Sequence, residues 1–342
     1  MTARRRRIAG VLVFLALVAS CLAGLCVGPS MLPASHAARV LLAELPGLDS
    51  LAAGVDPQHR DIVLNLRLPR LVLALLVGCG LAVAGCVMQS FFQNPMAEPS
   101  IVGVSAGATL GATIATIFGL NVWIAGLSPV PIAAFIGALI ATTVVYLLSR
   151  RGGKTPVTVL LLTGVAVASF ASAISAVVLL RGQRGDMNQV VYWMMGSLSN
   201  RGWPEVRMVV PYAVFSLAAI YVFGRDLNVL LLGDESARYL GLDVDKVKLA
   251  LLALSSLLAA SAVSVSGIIG FVGLIVPHIM RLLVGPDHRV LLPFAAAGGA
   301  IVLVLSDMAA NLAGEIPVGV ITAFVGCPFF LYLLHRRREY DV

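Results

Sequence analysis

The sequence predicts an all-α polytopic membrane protein with ten transmembrane helices, and three observations carry that expectation. Of 342 residues, 59% are hydrophobic and only 12% are charged, against about 25% charged in an ordinary globular domain; the mean hydropathy is +0.96. Apolar runs of about 20 residues, the length that crosses a bilayer as a helix, recur along the whole chain. The basic residues gather at the ends of these runs, where they orient helices in a membrane. That clustering also argues against reading the net charge of +7 as a nucleic-acid surface.

The first span, 8–28, follows Arg4–Arg7. A basic start before an apolar run resembles a signal peptide, and Val18-Ala19-Ser20-Cys21 resembles a lipoprotein cleavage box. The apolar run continues past Cys21 to Val27 with no polar tether, so the segment reads as a retained span. The second span, 66–90, opens at Arg67-Leu68-Pro69-Arg70 and leads into a polar corner, Gln93-Asn94-Pro95-Met96-Ala97-Glu98-Pro99. Span three, 98–118, carries Gly103, Gly107 and Gly111 at spacing four, which lets helix backbones approach closely. Spans four and five, 122–148 and 156–181, are joined by a basic loop. Its Gly152-Gly153-Lys154-Thr155 resembles the end of a phosphate loop. That motif needs a glycine where Leu148 stands, and Pro156 interrupts the helix that should face the phosphate.

An amphipathic piece at 189–202 is expected to lie between spans five and six without crossing. Spans six and seven, 205–224 and 246–268, flank a charged island at 225–248. The eighth, 271–284, is short enough for a half-span, and 290–311 and 316–334 complete the set. With the N-terminus inside, 16 of the 24 Lys and Arg residues fall on cytoplasmic segments, which satisfies the positive-inside rule and puts both termini in the cytoplasm. The longest loop, about 29–61, is too short for a soluble domain, so 1–342 reads as a single transmembrane domain.

Few residues suggest chemistry of their own. All five cysteines lie in apolar runs without metal-ligand spacing and read as small core residues. The histidines are scattered; His278, beside Pro277 and Arg281, reads as a structural hydrogen-bonder. No enzyme site emerges, so any nucleotide energy must come through another chain.

Three features leave two readings each. Gly233 to Gly241 reads as a short helix, with Asp234 and Glu235 in its first turn, Arg238 late and Gly241 as its stop. Such an amphipathic piece suits either docking into a partner's groove or a plain connector. Arg67 and Arg70 are one helical turn apart on the outer side. They suit either lipid phosphates or acidic groups on a partner. Asp307, costly in lipid, suits either a structural hydrogen bond or a substrate contact.

Taken together these pieces resemble the permease subunits of bacterial ABC importers for iron-siderophores, haem and vitamin B12, the type II importers of the iron-chelate family. The resemblance runs from about Arg67 to the tail. It rests on Arg67-Leu68-Pro69-Arg70, Met88-Gln89, Asn94-Pro95-Met96-Ala97-Glu98-Pro99, Gly103-Val104-Ser105-Ala106-Gly107-Ala108, Trp193-Met194-Met195-Gly196-Ser197, Leu232-Gly233-Asp234-Glu235 with Ala237 and Leu240-Gly241, Gly270-Phe271-Val272-Gly273 through Pro277-His278 and Arg281, and Glu315-Ile316-Pro317-Val318-Gly319, in that order.

The resemblance implies a ten-helix permease domain that pairs with a second copy of itself. It also implies two cytoplasmic ATPase subunits, which carry the ATP and Mg while this chain binds no cofactor, and a substrate-binding protein outside. It casts Asp234, Glu235, Ser236, Ala237, Arg238, Tyr239, Leu240 and Gly241 as the ATPase-coupling helix. Arg67 and Arg70 become docking residues for the binding protein, and Asn94, Met96 and Thr158 the cytoplasmic gate. Two positions depart from the family pattern: Asn311, four residues after Asp307, where arginine is frequent, and Gln93, where arginine often precedes Asn-Pro. Glu98 and the Trp193–Gly196 run lean toward haem or vitamin B12; haem is the favoured cargo, with ferric siderophore next and vitamin B12 as the alternative. An ion-driven secondary transporter would need a path of intramembrane acids, for which only Asp307 is available.

Overall fold

In the computed structural model, residues 3–28, 33–44, 56–124, 126–150 and 155–338 are described. Helix α1 spans Ala3–Cys26, followed by the short α2 (Ala34–Ala43) and α3 (Pro57–Asp61). A π-helical turn, Ile62–Arg67, runs without a break into α4 (Leu68–Phe91). Next come a 3-10 turn at Pro99–Val102, α5 (Val104–Ile117), α6 (Pro129–Ser149), α7 (Val157–Leu179) and α8 (Arg184–Met194). The chain continues through α9 (Trp203–Val222), α10 (Gly224–Leu230), α11 (Asp234–Tyr239) and α12 (Val244–Ser266), and ends with α13 (Val272–Val284), α14 (His288–Leu312) and α15 (Val318–Arg338).

Among the described residues, seven helices are long and apolar enough to span a membrane, namely α1, α3–α4 taken together, α6, α7, α9, α12 and α14. Three shorter apolar helices, in α5, α13 and α15, bring the set into line with the ten expected runs. The departures have physical causes. Span two begins at Pro57, not near 66, because α3, the π turn and α4 form one 35-residue helix. Proline lacks an N–H and crowds the carbonyl of the preceding turn. The wider π turn just ahead of Pro69 accommodates it, with Leu68 N donating to the Val63 carbonyl.

Span three divides at Gly103, whose φ of 85° ends the 3-10 turn and starts α5. The piece expected at 189–202 starts earlier, as α8. The Asp186 carboxylate accepts from Gln183 N at 3.1 Å at the start of that helix. Gly196, with φ of 71°, lies just past the end of α8, and beyond it the chain runs irregularly, with Ser197 N bonded to the Ser266 carbonyl at 2.7 Å. The loop at Gly152–Lys154 lies outside the described residues.

Burial sorts the helices into centre and rim. In α4 and α12, 78% of the apolar window is buried, against 11% for α1 and 17% for α7. Rim helices turn large apolar side chains outward, among them Phe14, Leu162, Phe170, Phe215 and Phe324, as a surface meeting lipid or a second subunit must. At the centre, α4 meets α13 and α14 through small residues: a methyl group at Gly85 would collide with the Gly273 carbonyl, and one at Gly78 with that of Gly299. Arg6 of α1 lies beside Gly285, where α13 ends. This N-terminal face, predicted to be inner, therefore also carries α10, α11 and the end of α4. The opposite face carries the end of α1 and the start of α4.

Candidate functional site

On the N-terminal face, α10 and α11 form an arm, α10 packed on the helix bundle with Leu227 and Leu230 buried and α11 at its surface. Gly233 and Gly241, with φ of 95° and 86°, bracket α11, and only glycine adopts such angles without strain. Ala237 is fully buried and anchors the helix. Asp234, Glu235, Ser236 and Arg238 are exposed around it. Tyr239 is 84% exposed and Leu240 64%, a concentration of apolar surface among charges that fits a protein groove better than water. Arg238 pairs with Asp245 at 2.7 Å and Lys246 with Asp243 at 2.8 Å. The hydrogen bond from Lys246 holds the Asp243 carboxyl below the usual carboxylate range.

One cation there is hidden. Lys248 Nζ sits 2.5 Å from Asp234 Oδ2, its side chain only 8% exposed, and lies 5.4 Å from the centroid of the Phe91 ring. By sequence alone Lys248 is simply the last residue of the charged island at 225–248. The available signal was the helical spacing of Val244, Leu251, Leu252 and Ser255, all buried, which puts position 248 on the inward face.

The polar corner follows directly. Gln93 adopts a left-handed φ of 48°. Asn94 Oδ1 accepts from Met96 N at 3.0 Å, and Asn94 N donates to the Gln89 carbonyl at 3.0 Å, which folds the corner into a tight loop. Thr158 stands exposed in the first turn of α7, a helix that touches the 3-10 turn where Gly164 meets the Ile101 carbonyl. The three glycines of span three do different jobs. Gly107 and Gly111 lie against the Gly137 and Ala133 carbonyls of α6, whereas Gly103 serves as the left-handed start of α5.

On the opposite face a cavity of about 330 Å³ is lined by Arg67, Arg70, Arg201, Asp307, Asn311 and Glu315, among others. Arg67 donates to the carbonyls of Leu25 and Cys26 at 2.7 and 2.8 Å, satisfying acceptors that the end of α1 leaves open. Arg70 forms a two-pronged ion pair with Asp307, Nε to Oδ2 and Nη2 to Oδ1, both 2.8 Å. The two arginines thus share the cavity while holding different helices.

Asp307 serves as a structural partner of Arg70, with its side chain 11% exposed. Arg201, which precedes α9, joins them in the cavity lining. Burial lowers its pKa, and its Nε has no partner among the described residues. His36 of α2 and His59 of α3 also meet, Nδ1 to Nδ1 at 3.2 Å.

These features can be set beside known proteins. The chain matches the model of the FecCD transport family over residues 11–336. It is 46% identical over 319 residues to the cobalamin import system permease protein of Halobacterium salinarum, covering 91% of this chain and 85% of that one. It is 42% identical over 287 residues to the hemin transport system permease protein of Yersinia pestis, covering 81% and 84%. Among solved structures it is similar to a metal-chelate type ABC transporter in an inward-facing conformation, with a TM-score of 0.82, 29% identity and coverage of 95% of this chain and 97% of that one.

Proposed function

Because the chain belongs to the FecCD transport family, we propose that it forms half of the membrane pathway of an ATP-driven importer, working by alternating access as a pair of identical permease subunits. At the coarser level it is a permease of an ABC importer for iron chelates, haem or vitamin B12. Hydrolysis belongs to separate ATPase subunits, which the reading places in the cytoplasm against α11. The observation that carries this is the arm itself: a six-residue helix with Tyr239 and Leu240 turned outward. On this reading both termini are cytoplasmic and the membrane is the bacterial inner membrane.

A substrate-binding protein is proposed for the opposite face, with Arg67 and Arg70 meeting its acidic residues. A guanidinium offers five N–H groups, of which Asp307 takes two on Arg70, so an incoming carboxylate can add to the pair. Asn94, Met96 and Thr158 are the proposed inner gate. The substrate is proposed to be a metal-centred tetrapyrrole. Glu98 and the Trp193–Gly196 run support haem or vitamin B12 alike; haem is the first reading, supported by the 42% identity to a hemin permease, and vitamin B12 the second, supported by the 46% identity to a cobalamin permease.

The test is ATP hydrolysis and uptake in liposomes containing the permease and its ATPase, with a binding protein loaded with haem or with cyanocobalamin. Stimulation by one of them identifies the cargo. Glu235→Arg should abolish ATPase association and Arg67→Glu should weaken stimulation by the binding protein. Failure of any ATPase to associate with the wild-type chain would sink the importer reading.

A further inference from the structure

Three separate ties join the α10–α11 arm to the last residues of α4 and to Gln93, the first residue of the polar corner. The first is Gln93, whose Nε2 donates to the Leu230 carbonyl at the end of α10 at 2.9 Å. The second runs through Asn228 of α10. Its Nδ2 donates to Asp287 Oδ1 at 2.8 Å, which leaves Oδ1 facing His288. That oxygen accepts from His288 N and from Nδ1–H, each at 2.8 Å. With Nδ1 protonated, Nε2 accepts from the Ser90 hydroxyl at 2.6 Å, and that single proton is then lost to the 3.1 Å contact with the Cys86 carbonyl. The third is Lys248, held between Asp234 of α11 and the Phe91 ring of α4.

All three land on Ser90, Phe91 and Gln93, within four residues of one another and immediately ahead of Asn94. His288 is fully buried and Ser90 nearly so, and Lys248 is a cation that burial makes expensive. Packing alone does not require a lysine, a histidine and a glutamine to converge on one helix end. Gln93 moreover holds a left-handed backbone, which a non-glycine residue adopts only under strain.

We propose that Gln93, Lys248 and the Asn228–His288–Ser90 bonds are positioning residues that make the arm and the polar corner move together, so that a displacement of α11 reaches Asn94 and Met96 without slack. This rests on the reading of α11 as the ATPase docking helix and of the corner as the gate. Rigid transmission through hydrogen bonds and a buried cation suits a bistable packed element, which responds by switching rather than by bending. Gln93 is exposed, so replacing it leaves the core intact. Lys248→Met keeps an apolar stem over Phe91 while removing the charge.

The decisive experiment compares wild type, Gln93→Ala, Lys248→Met, the double variant and Gln93→Arg in liposomes with the ATPase and the binding protein. Haem and cyanocobalamin are the transported probes. ATPase association, melting temperature, basal hydrolysis and substrate moved per ATP are read together. The expected result is unchanged association, melting and basal hydrolysis, with transport per ATP lowered about three- to tenfold, the scale of one lost hydrogen bond or charged contact. Gln93→Arg, which restores a donor toward Leu230, should return most of the ratio. A wild-type ratio in the double variant overturns the proposal, and so does loss of ATPase association, since the ties would then shape the docking surface alone. Absence of association in the wild type would instead strike the underlying functional reading.

Discussion

Asp307→Ala should destabilise this protein far more than an ordinary polar substitution, and the size of the effect can be worked from the ion pair. Both oxygens of Asp307 are engaged by Arg70 at 2.8 Å, and the side chains are 21% and 11% exposed. Removing one member of a buried pair costs about 3–5 kcal/mol, because the other charge is left uncompensated. Here the pair borders a cavity of about 330 Å³, room enough for water to solvate an abandoned guanidinium, which moves the expectation to the lower end, about 3 kcal/mol. Arg67 and Arg201 line the same cavity and oppose further relief.

The assay is intrinsic tryptophan fluorescence during heating in detergent, at one fixed scan rate because membrane proteins unfold irreversibly. The apparent midpoint should fall by roughly 5 °C or more. Arg70→Met with Asp307→Leu, which removes both charges, should recover most of that loss. A midpoint lowered by less than about 1 °C in Asp307→Ala, with no advantage to the double variant, would refute the assignment of this pair as a buried clamp between α4 and α14.

Two further outcomes follow from the packing and the helix cap. Gly85→Val should cost several kcal/mol or prevent insertion, since any Cβ there meets the Gly273 carbonyl and backbone cannot yield as a side chain can; expression and melting of Gly85→Val against Gly270→Val, where a Cβ meets nothing, isolates the contact. Asp287 is held below the usual carboxylate range, chiefly by the hydrogen bond from Asn228. Its contribution should be complete above the unfolded value of about 3.9 and lost as pH falls through the lower native value. A melting–pH curve should therefore show an acid-side decline that Asp287→Asn lacks, and identical curves would remove Asp287 from the account.

Much of this architecture could be read from apolar run lengths, because a span must bury its own backbone hydrogen bonds and so declares itself locally. The short eighth helix and the Asp234–Tyr239 segment were legible for the same reason: both are written in consecutive residues. Contacts that join distant segments were not. Arg70 and Asp307 are separated by 237 positions, and nothing in either neighbourhood names the other. His288 stood in what looked like a loop, yet it is fully buried as the first residue of α14. The site residues divide along the same line. Spacing placed Arg67 and Arg70 on one face, but could not reveal that one holds the end of α1 and the other holds α14, nor that Arg201 comes to lie beside them.

The close contacts around α4 have a bearing on how cargo could be changed. Where backbone touches backbone, as at Gly85 with Gly273 and Gly78 with Gly299, no larger side chain can be admitted, so those positions are closed to innovation whatever is carried. The outward sides of α7, α9 and α15 are filled by ordinary large apolar residues such as Phe170, Phe215 and Phe324 that share no such restriction. An engineer seeking a different ligand should therefore leave the α4 spine untouched.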